Sequence, residues 1–203
     1  MALDTDPPNA ARPVLRADAR RNRQRLLDAA RPAFVEHGAT ASLDDIARAA
    51  GVGIGTLYRH FPTREALVEA VIHDSLDGLC ELSDELVAAD DNDDPFDALR
   101  TWLRAMVAHA AAFRGLAESL LAGRDGDDAL GAACDTLQAA GAAVFDRAQR
   151  LGHLRPDATA ADAIDLAASV ARITTQAPTG PDQPDRLLDV VLDGLRLQPT
   201  PTR

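Results

Sequence analysis

Seven arginines stand close together near the start of the chain, where their guanidinium groups could bind a polyanion. These arginines are Arg12, Arg16, Arg20, Arg21, Arg23, Arg25 and Arg31. The acidic residues in the same stretch are only Asp18 and Asp28. Residues 1–64 carry ten arginines and seven acidic residues, a net charge of +3, whereas residues 65–203 carry eleven arginines and 25 acidic residues, a net charge of −14. This asymmetry favours a basic module that binds a polyanion, attached to an acidic body with another task. A solvated basic helix face is the alternative.

Metal and catalytic chemistry find little support in the sequence. The two cysteines, Cys80 and Cys134, are too few for a disulfide scaffold or a cysteine zinc site. His73, Asp74 and His109 have no partner at metal-ligand spacing. A nucleophile-elbow serine motif, a P-loop and a dinucleotide fingerprint are all missing from the sequence. We therefore expect no metal, no cofactor and no enzyme activity, with a redox role for the cysteines as a minor alternative.

A stripe of large side chains in the body could line an apolar pocket with one polar group. Trp102 is followed by Met106, His109 and Phe113 at distances of 4, 7 and 11 positions, so the four side chains share one helix face. A later helix could add Cys134, Leu137 and Phe145. Such a pocket would suit a small apolar ligand. The alternative is an ordinary core stripe with a hydrogen-bonded histidine.

The elements that position these residues are all expected to be helices. The 203 residues are 46% hydrophobic and 3% aromatic, and no stretch alternates like a strand. We expect a disordered arm over 1–16 and about nine helices, at 17–37, 42–51, 54–61, 64–89, 95–113, 114–123, 127–151, 159–176 and 185–197. No apolar run approaches the length that spans a bilayer, and the start of the chain does not read as a signal peptide, so a cytoplasmic protein without a membrane partner is expected.

Residues 42–64 contain two short helices joined by a tight glycine turn. Ile46, Ala47, Leu57 and Phe61 supply the apolar contacts between these helices. This is the pattern of a helix-turn-helix, whose second helix enters the major groove of DNA.

The detailed sequence resembles the TetR family of transcriptional regulators over about residues 23–67. The resemblance is carried by RLLDAARPAFVEHG and by SLDDIARAAGVGIGTLYRHFPTREAL. It implies an all-α fold with an N-terminal three-helix DNA-binding domain over 17–64 and a C-terminal helical bundle over 65–203 that binds an effector and dimerises. The implied function is a repressor that binds a palindromic double-stranded DNA operator as a homodimer and is released by a small molecule.

The resemblance also implies roles for single residues. Tyr58 and His60 correspond to family residues that donate hydrogen bonds to backbone phosphates. Thr56 and Ser42 offer hydroxyls near helix N-termini, where a phosphate is favoured, and Arg64 would add a charge-assisted contact. Base edges would meet Ile54, Gly55 and Thr56. Arg48 and Arg59 are further candidates, and Arg20, Arg21 and Arg23 could reach a neighbouring minor groove. The chain departs from the family at Gly53 and Ile54, where many members have serine and lysine, and at Pro32 inside the first helix.

The last two helices carry broad apolar stripes. Leu188, Val191, Leu192 and Leu195 follow helical spacing and are widened by Leu187 and Val190, while Ile164, Leu166, Val170 and Ile173 mark the preceding helix. In the family these two helices form a four-helix dimer interface. The resemblance therefore implies the interface residues Ile164, Val170, Ile173, Leu188, Val191, Leu192 and Leu195. A purely intramolecular bundle is the alternative.

Two other functions stay open at the level of sequence. One is a helical small-molecule-binding protein or enzyme whose N-terminal motif does not bind DNA. The other is a protein-interaction adaptor that uses its basic arm on an acidic partner.

Overall fold

The computed structural model describes residues 11–89, 94–121, 127–177 and 180–197, with side chains described from residue 17 onward except over 114–134. Within these ranges the chain is helical apart from loops and one isolated bridge between Leu154 and Arg196. The all-α prediction is confirmed. The helices are α1 (Ala11–His37), α2 (Leu43–Ala49), α3 (Ile54–His60), α4 (Arg64–Ala88), α5 (Pro95–Leu121), α6 (Asp127–Arg150), α7 (Ala160–Gln176) and α8 (Gln183–Leu195), with a 3-10 turn at Gly38–Thr40.

The chain forms two compact units, which divide between Val71 and Ile72 inside α4. The first unit buries apolar side chains from α1, α2, α3 and the start of α4: Leu26, Leu27, Ala30, Phe34, Ile46, Ala47, Leu57, Phe61 and Leu67. Ile46, Ala47, Leu57 and Phe61, expected to supply the apolar contacts between the two short helices, are all buried, and α2 packs against α3.

The first helix begins at Ala11, six residues earlier than the sequence suggested, and it continues through Pro32. Pro13 lies in the first turn, where backbone N–H groups have no intrahelical acceptor, so a proline costs little there. Pro32 removes one backbone hydrogen bond and costs roughly 3 kcal/mol in a helix interior. Burial of Leu27 and Phe34 on either side of it holds the helix together. The first ten residues of the expected arm lie outside the described part of the chain.

The second unit is a bundle in which α5 packs against α6, α7 and α8. Its core centres on Trp102, which is fully buried and donates from Nε1 to the carbonyl oxygen of Leu79 at 3.1 Å. Gly141 on α6 faces the ring so closely that a Cβ there would lie 2.5 Å from a ring carbon. The polar handle of the tryptophan is thus satisfied inside the chain.

The described ranges contain eight α-helices, where the sequence predicts about nine. The separate helices expected at 95–113 and 114–123 are a single helix, α5, which runs through Gly115. One glycine inside a helix costs only about 1 kcal/mol, which is too little to end a long helix. Residues 90–93 lie outside the described ranges, but Asp94 accepts a hydrogen bond from the amide of Phe96 at 2.9 Å and so caps α5.

The start of α7 is fixed by a capping box. Thr159 Oγ1 accepts from the amide of Asp162 at 3.2 Å, and Asp162 Oδ2 accepts from the amide of Thr159 at 3.1 Å. The Thr159 hydroxyl also donates to Asp162 Oδ2 at 2.6 Å, and this hydrogen bond, followed by the one from the Thr159 amide, lowers the pKa of Asp162. None of the described helices is long and apolar enough to cross a membrane.

Candidate nucleic-acid interface

The turn between α2 and α3 is built from local hydrogen bonds and one glycine. Ser42 caps α2 by accepting from the amide of Asp45 at 3.2 Å. Gly51 adopts φ +68°, which disfavours any residue with a side chain, and its amide donates to the carbonyl oxygen of Arg48 at 3.0 Å. Gly53 then starts α3 without a side-chain cap. The missing hydroxyl noted in the sequence is therefore a real difference in how α3 begins.

One side of α3 is held in the core and the other faces solvent. Leu57 is fully buried, whereas Tyr58 is 48% exposed and Arg59 and Gly55 are also exposed. Ile54, Thr56 and His60 are half-buried. The structure thus brings all six residues expected to contact DNA on this helix onto one short element, where they present hydroxyl, imidazole and guanidinium donors beside an exposed backbone.

Several of the candidate arginines are engaged within the first unit. Arg64 Nη1 donates to the carbonyl oxygen of Ala41 at 2.6 Å, and the guanidinium group of Arg23 lies 5.4 Å from the centre of the Phe61 ring. Arg21 pairs with Asp18, and Arg48 pairs with Asp45.

Two candidate arginines differ from these. Within the described part of the chain, no acidic side chain pairs with Arg20 or Arg59, and both are exposed. They are the candidate guanidinium groups best placed to meet a phosphate without first giving up an internal partner.

Sequence reasoning missed the role of Arg25. A Cβ built on Gly51 would lie 3.7 Å from Arg25 Nη1, so this side chain lies against the turn between α2 and α3. Arg25 also donates to the side chain of Asn22. Its place one helical turn after Arg21 was the only signal, and that signal does not distinguish a structural arginine from one that contacts DNA.

The proposed ligand stripe on α5 lies mostly in the core. Trp102, Met106 and Phe113 are buried, as is Phe145 on α6, and Leu137 packs partly buried against the same core. The side chain of Cys134 lies outside the described residues. The arrangement supports the ordinary core reading for most of the stripe.

His109 differs from the rest of that stripe because it is half-buried and polar. Its Nδ1 lies 2.7 Å from Ser75 Oγ on α4, and its ring centre lies 5.1 Å from that of Phe113. Ser75 was not a candidate from sequence, since 34 positions separate it from His109 and no motif links them.

The expected dimer residues fall into two groups. Leu188, Leu192, Leu195, Ile164 and Val170 are buried within their own chain. Ile173 is exposed and Val191 is half-buried.

The exposed apolar face lies beside the expected one. Val190 is 69% exposed, and Leu166 and Ile173 are each 47% exposed. Val190 and Leu166 line a groove of about 370 Å³ between α7 and α8. The structure thus leaves an apolar surface on these two helices that shares Ile173 and Val191 with the expected interface and adds Leu166 and Val190.

The remaining reactive side chains give little support for redox or metal chemistry. Burial raises the pKa of the Cys80 thiol, and the negative charges of Asp77 and Asp84 raise it further. A raised pKa leaves little thiolate at neutral pH, which opposes a redox role for this cysteine. Among the described residues, no group of three or more histidine, cysteine or acidic side chains could hold a metal ion.

An all-helical chain with a capped helix, a glycine turn and an exposed second helix belongs to the helix-turn-helix class of DNA-binding proteins. Comparison with known proteins agrees. Residues 26–71 match the model for bacterial regulatory proteins of the tetR family, and residues 94–197 match that for the C-terminal domain of SbtR-like transcriptional regulators. The chain belongs to the TetR family of transcriptional regulators, which are not enzymes.

Solved structures resemble the chain over most of its length. A TetR transcriptional regulator from Streptomyces coelicolor is 40% identical with a TM-score of 0.73, over 86% of this chain and 98% of that one. A TetR regulatory protein from Mycobacterium vanbaalenii is 38% identical with a TM-score of 0.71, over 90% and 99% of the two chains. An HTH-type transcriptional regulator from Staphylococcus aureus is 44% identical over 64 residues, which span 31% of this chain and 35% of that protein. The match to such curated relatives thus covers about a third of their length.

Proposed function

We propose that this transcriptional regulator is a repressor that binds a roughly palindromic operator as a homodimer and is released by a small-molecule effector. Residues 17–64 are assigned to DNA binding and residues 65–203 to effector binding and dimerisation. In each subunit α3 enters the major groove, so two half-sites related by the dimer axis are recognised together.

The observation that carries this proposal is the exposed face of α3. Tyr58 is the single tyrosine of the chain, and it is held half in solvent although an aromatic ring gains by burial. Leu57 beside it is fully buried and anchors the helix. An aromatic hydroxyl on an anchored, exposed short helix is suited to bind a partner's phosphate.

The proposed contacts fall into two kinds. Tyr58, Thr56, His60 and Ser42 donate to phosphates, and Arg59, Arg48 and Arg20 add positive charge. Gly55 permits close backbone approach to base edges, and Ile54 can contact thymine methyl groups.

We assign the dimer interface to the apolar surface of α7 and α8. Leu166 and Ile173 are seven positions apart and lie on one line of α7, and Val190 stands out from α8. Beside Val190 the groove includes Gly194, at which an added Cβ would meet nothing within 4 Å. The exposed side chain of Val190, beside the open space at Gly194, is suited to self-complementary packing across a two-fold axis.

The effector is assigned to the body, near His109 and Phe113. Because Trp102 and Met106 are buried in the core, the half-buried imidazole is the member of the stripe best suited to orient a ligand. Effector binding would favour a dimer whose two α3 helices no longer match the spacing of the operator half-sites.

The experiment that tests the function is selection of bound sequences from random duplex DNA. The selected duplex is then titrated by fluorescence anisotropy at several salt concentrations. We expect a palindromic winner, and affinity should fall with salt by about 0.9 logarithmic units per decade for each phosphate neutralised. Library compounds that release this duplex would identify the effector, and His109→Ala should weaken their effect.

Arg59→Ala and Arg150→Ala form a matched pair for this titration. Both arginines are exposed in the last turn of a helix, but Arg150 belongs to the acidic second unit. Arg59→Ala should reduce the salt dependence by about 0.9, whereas Arg150→Ala should leave it unchanged. Failure to enrich any sequence, or equal effects of the two variants, would contradict the proposed function.

A further inference from the structure

Arg64, the first residue of α4, reaches back to Ala41, which immediately precedes the cap residue of α2. Its Nη1 donates to the carbonyl oxygen of Ala41 at 2.6 Å, across 23 positions of the chain. Ala41 is buried and Arg64 is half-buried, so this hydrogen bond is partly shielded from water. A charged donor in such surroundings makes a stronger hydrogen bond than a neutral one.

The two residues joined by this bond are the two ends of the helix-turn-helix segment. Ala41 immediately precedes Ser42, the cap of α2, and Arg64 immediately follows Thr63, whose Oγ1 accepts from the amide of Ala66 at 3.1 Å and caps α4. Everything between them is α2, the glycine turn and α3. A single guanidinium group therefore holds the start of α2 and the start of α4 together, and α3 lies between these fixed points.

A second contact acts at the end of α3. Phe61 is buried at the C-terminal end of this helix, and the guanidinium group of Arg23 on α1 lies 5.4 Å from the centre of its ring. A cation over an aromatic face is attractive. Both arginines are therefore used to hold the element that presents Tyr58 and Arg59.

We propose that Arg64 is a positioning residue for operator recognition, which fixes the orientation of α3 through Ala41, while other donors contact the phosphates. This inference rests on the proposed function, because it requires that α3 reads DNA. It differs from the phosphate contact that the family resemblance implies for Arg64. The two roles predict different results for a variant. Loss of one phosphate contact lowers the salt dependence by about 0.9, whereas loss of a positioning contact reduces the discrimination between sequences.

The test uses the full-length chain and the duplex selected by the wild-type protein. Affinity is measured for that duplex and for one with a single base-pair change in each half-site, at several salt concentrations. Arg64→Ala should weaken binding by about tenfold and reduce the ratio between the two duplexes, with the salt dependence unchanged. Arg64→Lys, which restores a donor at similar reach, should recover much of the ratio, and Arg59→Ala should lower the salt dependence by about 0.9.

An unchanged ratio in Arg64→Ala, or a loss of salt dependence equal to that of Arg59→Ala, would overturn the inference. A merely structural arginine would lower thermal stability without changing the ratio well below the melting temperature.

Amide hydrogen exchange without DNA supplies an independent measurement. Arg64→Ala should accelerate exchange of the hydrogen-bonded amides of α2 and α3, such as those of Ile46 and Leu57, and unchanged exchange would also overturn the inference. If the wild-type protein selects no DNA sequence, the proposed function fails and the inference fails with it. If the wild-type protein does select a sequence, the results for the Arg64 variants alone test the positioning role.

Discussion

Gly141 and Trp102 allow a stability prediction whose sign runs against intrinsic helix propensity. Gly141 lies inside α6, where alanine is normally preferred by about 1 kcal/mol. A Cβ at this position would lie 2.5 and 2.6 Å from two ring carbons of Trp102 and 2.9 Å from Cδ1 of Ile164. We expect Gly141→Ala to destabilise the second unit despite the gain in propensity.

The magnitude follows from how little the neighbours can move. Carbon atoms in contact are normally about 3.5–4.0 Å apart, so the overlap with the ring is roughly 1 Å. Trp102 is fully buried and its Nε1 is held by the carbonyl oxygen of Leu79, which places the cost of overpacking near the upper end of its usual range, about 3 kcal/mol. After the gain of about 1 kcal/mol, the net loss is about 2 kcal/mol, and the melting temperature should fall by roughly 4–8 °C.

The assay is thermal and urea unfolding followed by circular dichroism, with Gly78→Ala as the matched control. Gly78 is exposed inside α4, and a Cβ there would meet nothing within 4 Å. This control should raise the melting temperature by about 2–4 °C. In a double-mutant cycle, Trp102→Phe should relieve part of the cost of Gly141→Ala, because the crowding ring carbons are removed. The reasoning is refuted if Gly141→Ala and Gly78→Ala have the same effect.

Two further predictions concern the dimer and the acid response. Val190→Glu should give folded monomers in light scattering, whereas Leu192→Glu should unfold the chain because it places a charge at a fully buried site; an intact Val190→Glu dimer would exclude the proposed face. Asp162→Asn should lower the melting temperature at pH 7 by about 2 °C. Because the pKa of Asp162 is lowered in the folded state, its carboxylate stabilises the fold fully above the ordinary carboxyl pKa. This stabilisation is lost as the pH falls through the lowered pKa. A difference in melting temperature between Asp162→Asn and the wild type that persists in strong acid would contradict the capping role of Asp162.

The fold was predictable because helix signals are local. Ser42 and Asp94 are of residue types that favour helix starts, and Gly51 favours a turn, which the structure forms with φ +68° at this residue. The errors concern places where one local signal was given too much weight. The expected break after residue 113 is absent although Gly115 follows it, and α1 starts at Ala11 although Pro13 follows, because the cost of one unfavourable residue is small beside the packing of a long helix.

Side-chain partners across the chain could not be predicted in the same way. The bonds from Arg64 to Ala41 and between Ser75 and His109 join positions 23 and 34 residues apart. Nothing in residue type tells whether an arginine will donate to a carbonyl of its own chain or to a phosphate. The count of basic residues in the first unit therefore overstates the number of guanidinium groups that can contact DNA without giving up an internal contact.

The stripe on α8 shows why an apolar pattern does not name its partner. Leu188, Leu192 and Leu195 lie within about one quadrant of the helix and are buried by their own chain. Val190 follows Leu188 by two residues, which turns it by about 200° and leaves it 69% exposed. A stripe that includes both the buried and the exposed side of α8 shows only that most of the helix circumference is apolar. The solvent exposure of each side chain within one chain is needed to separate the core from the surface left for a second copy. That is why a charge at Val190 tests the dimer, while a charge at Leu192 tests only the fold.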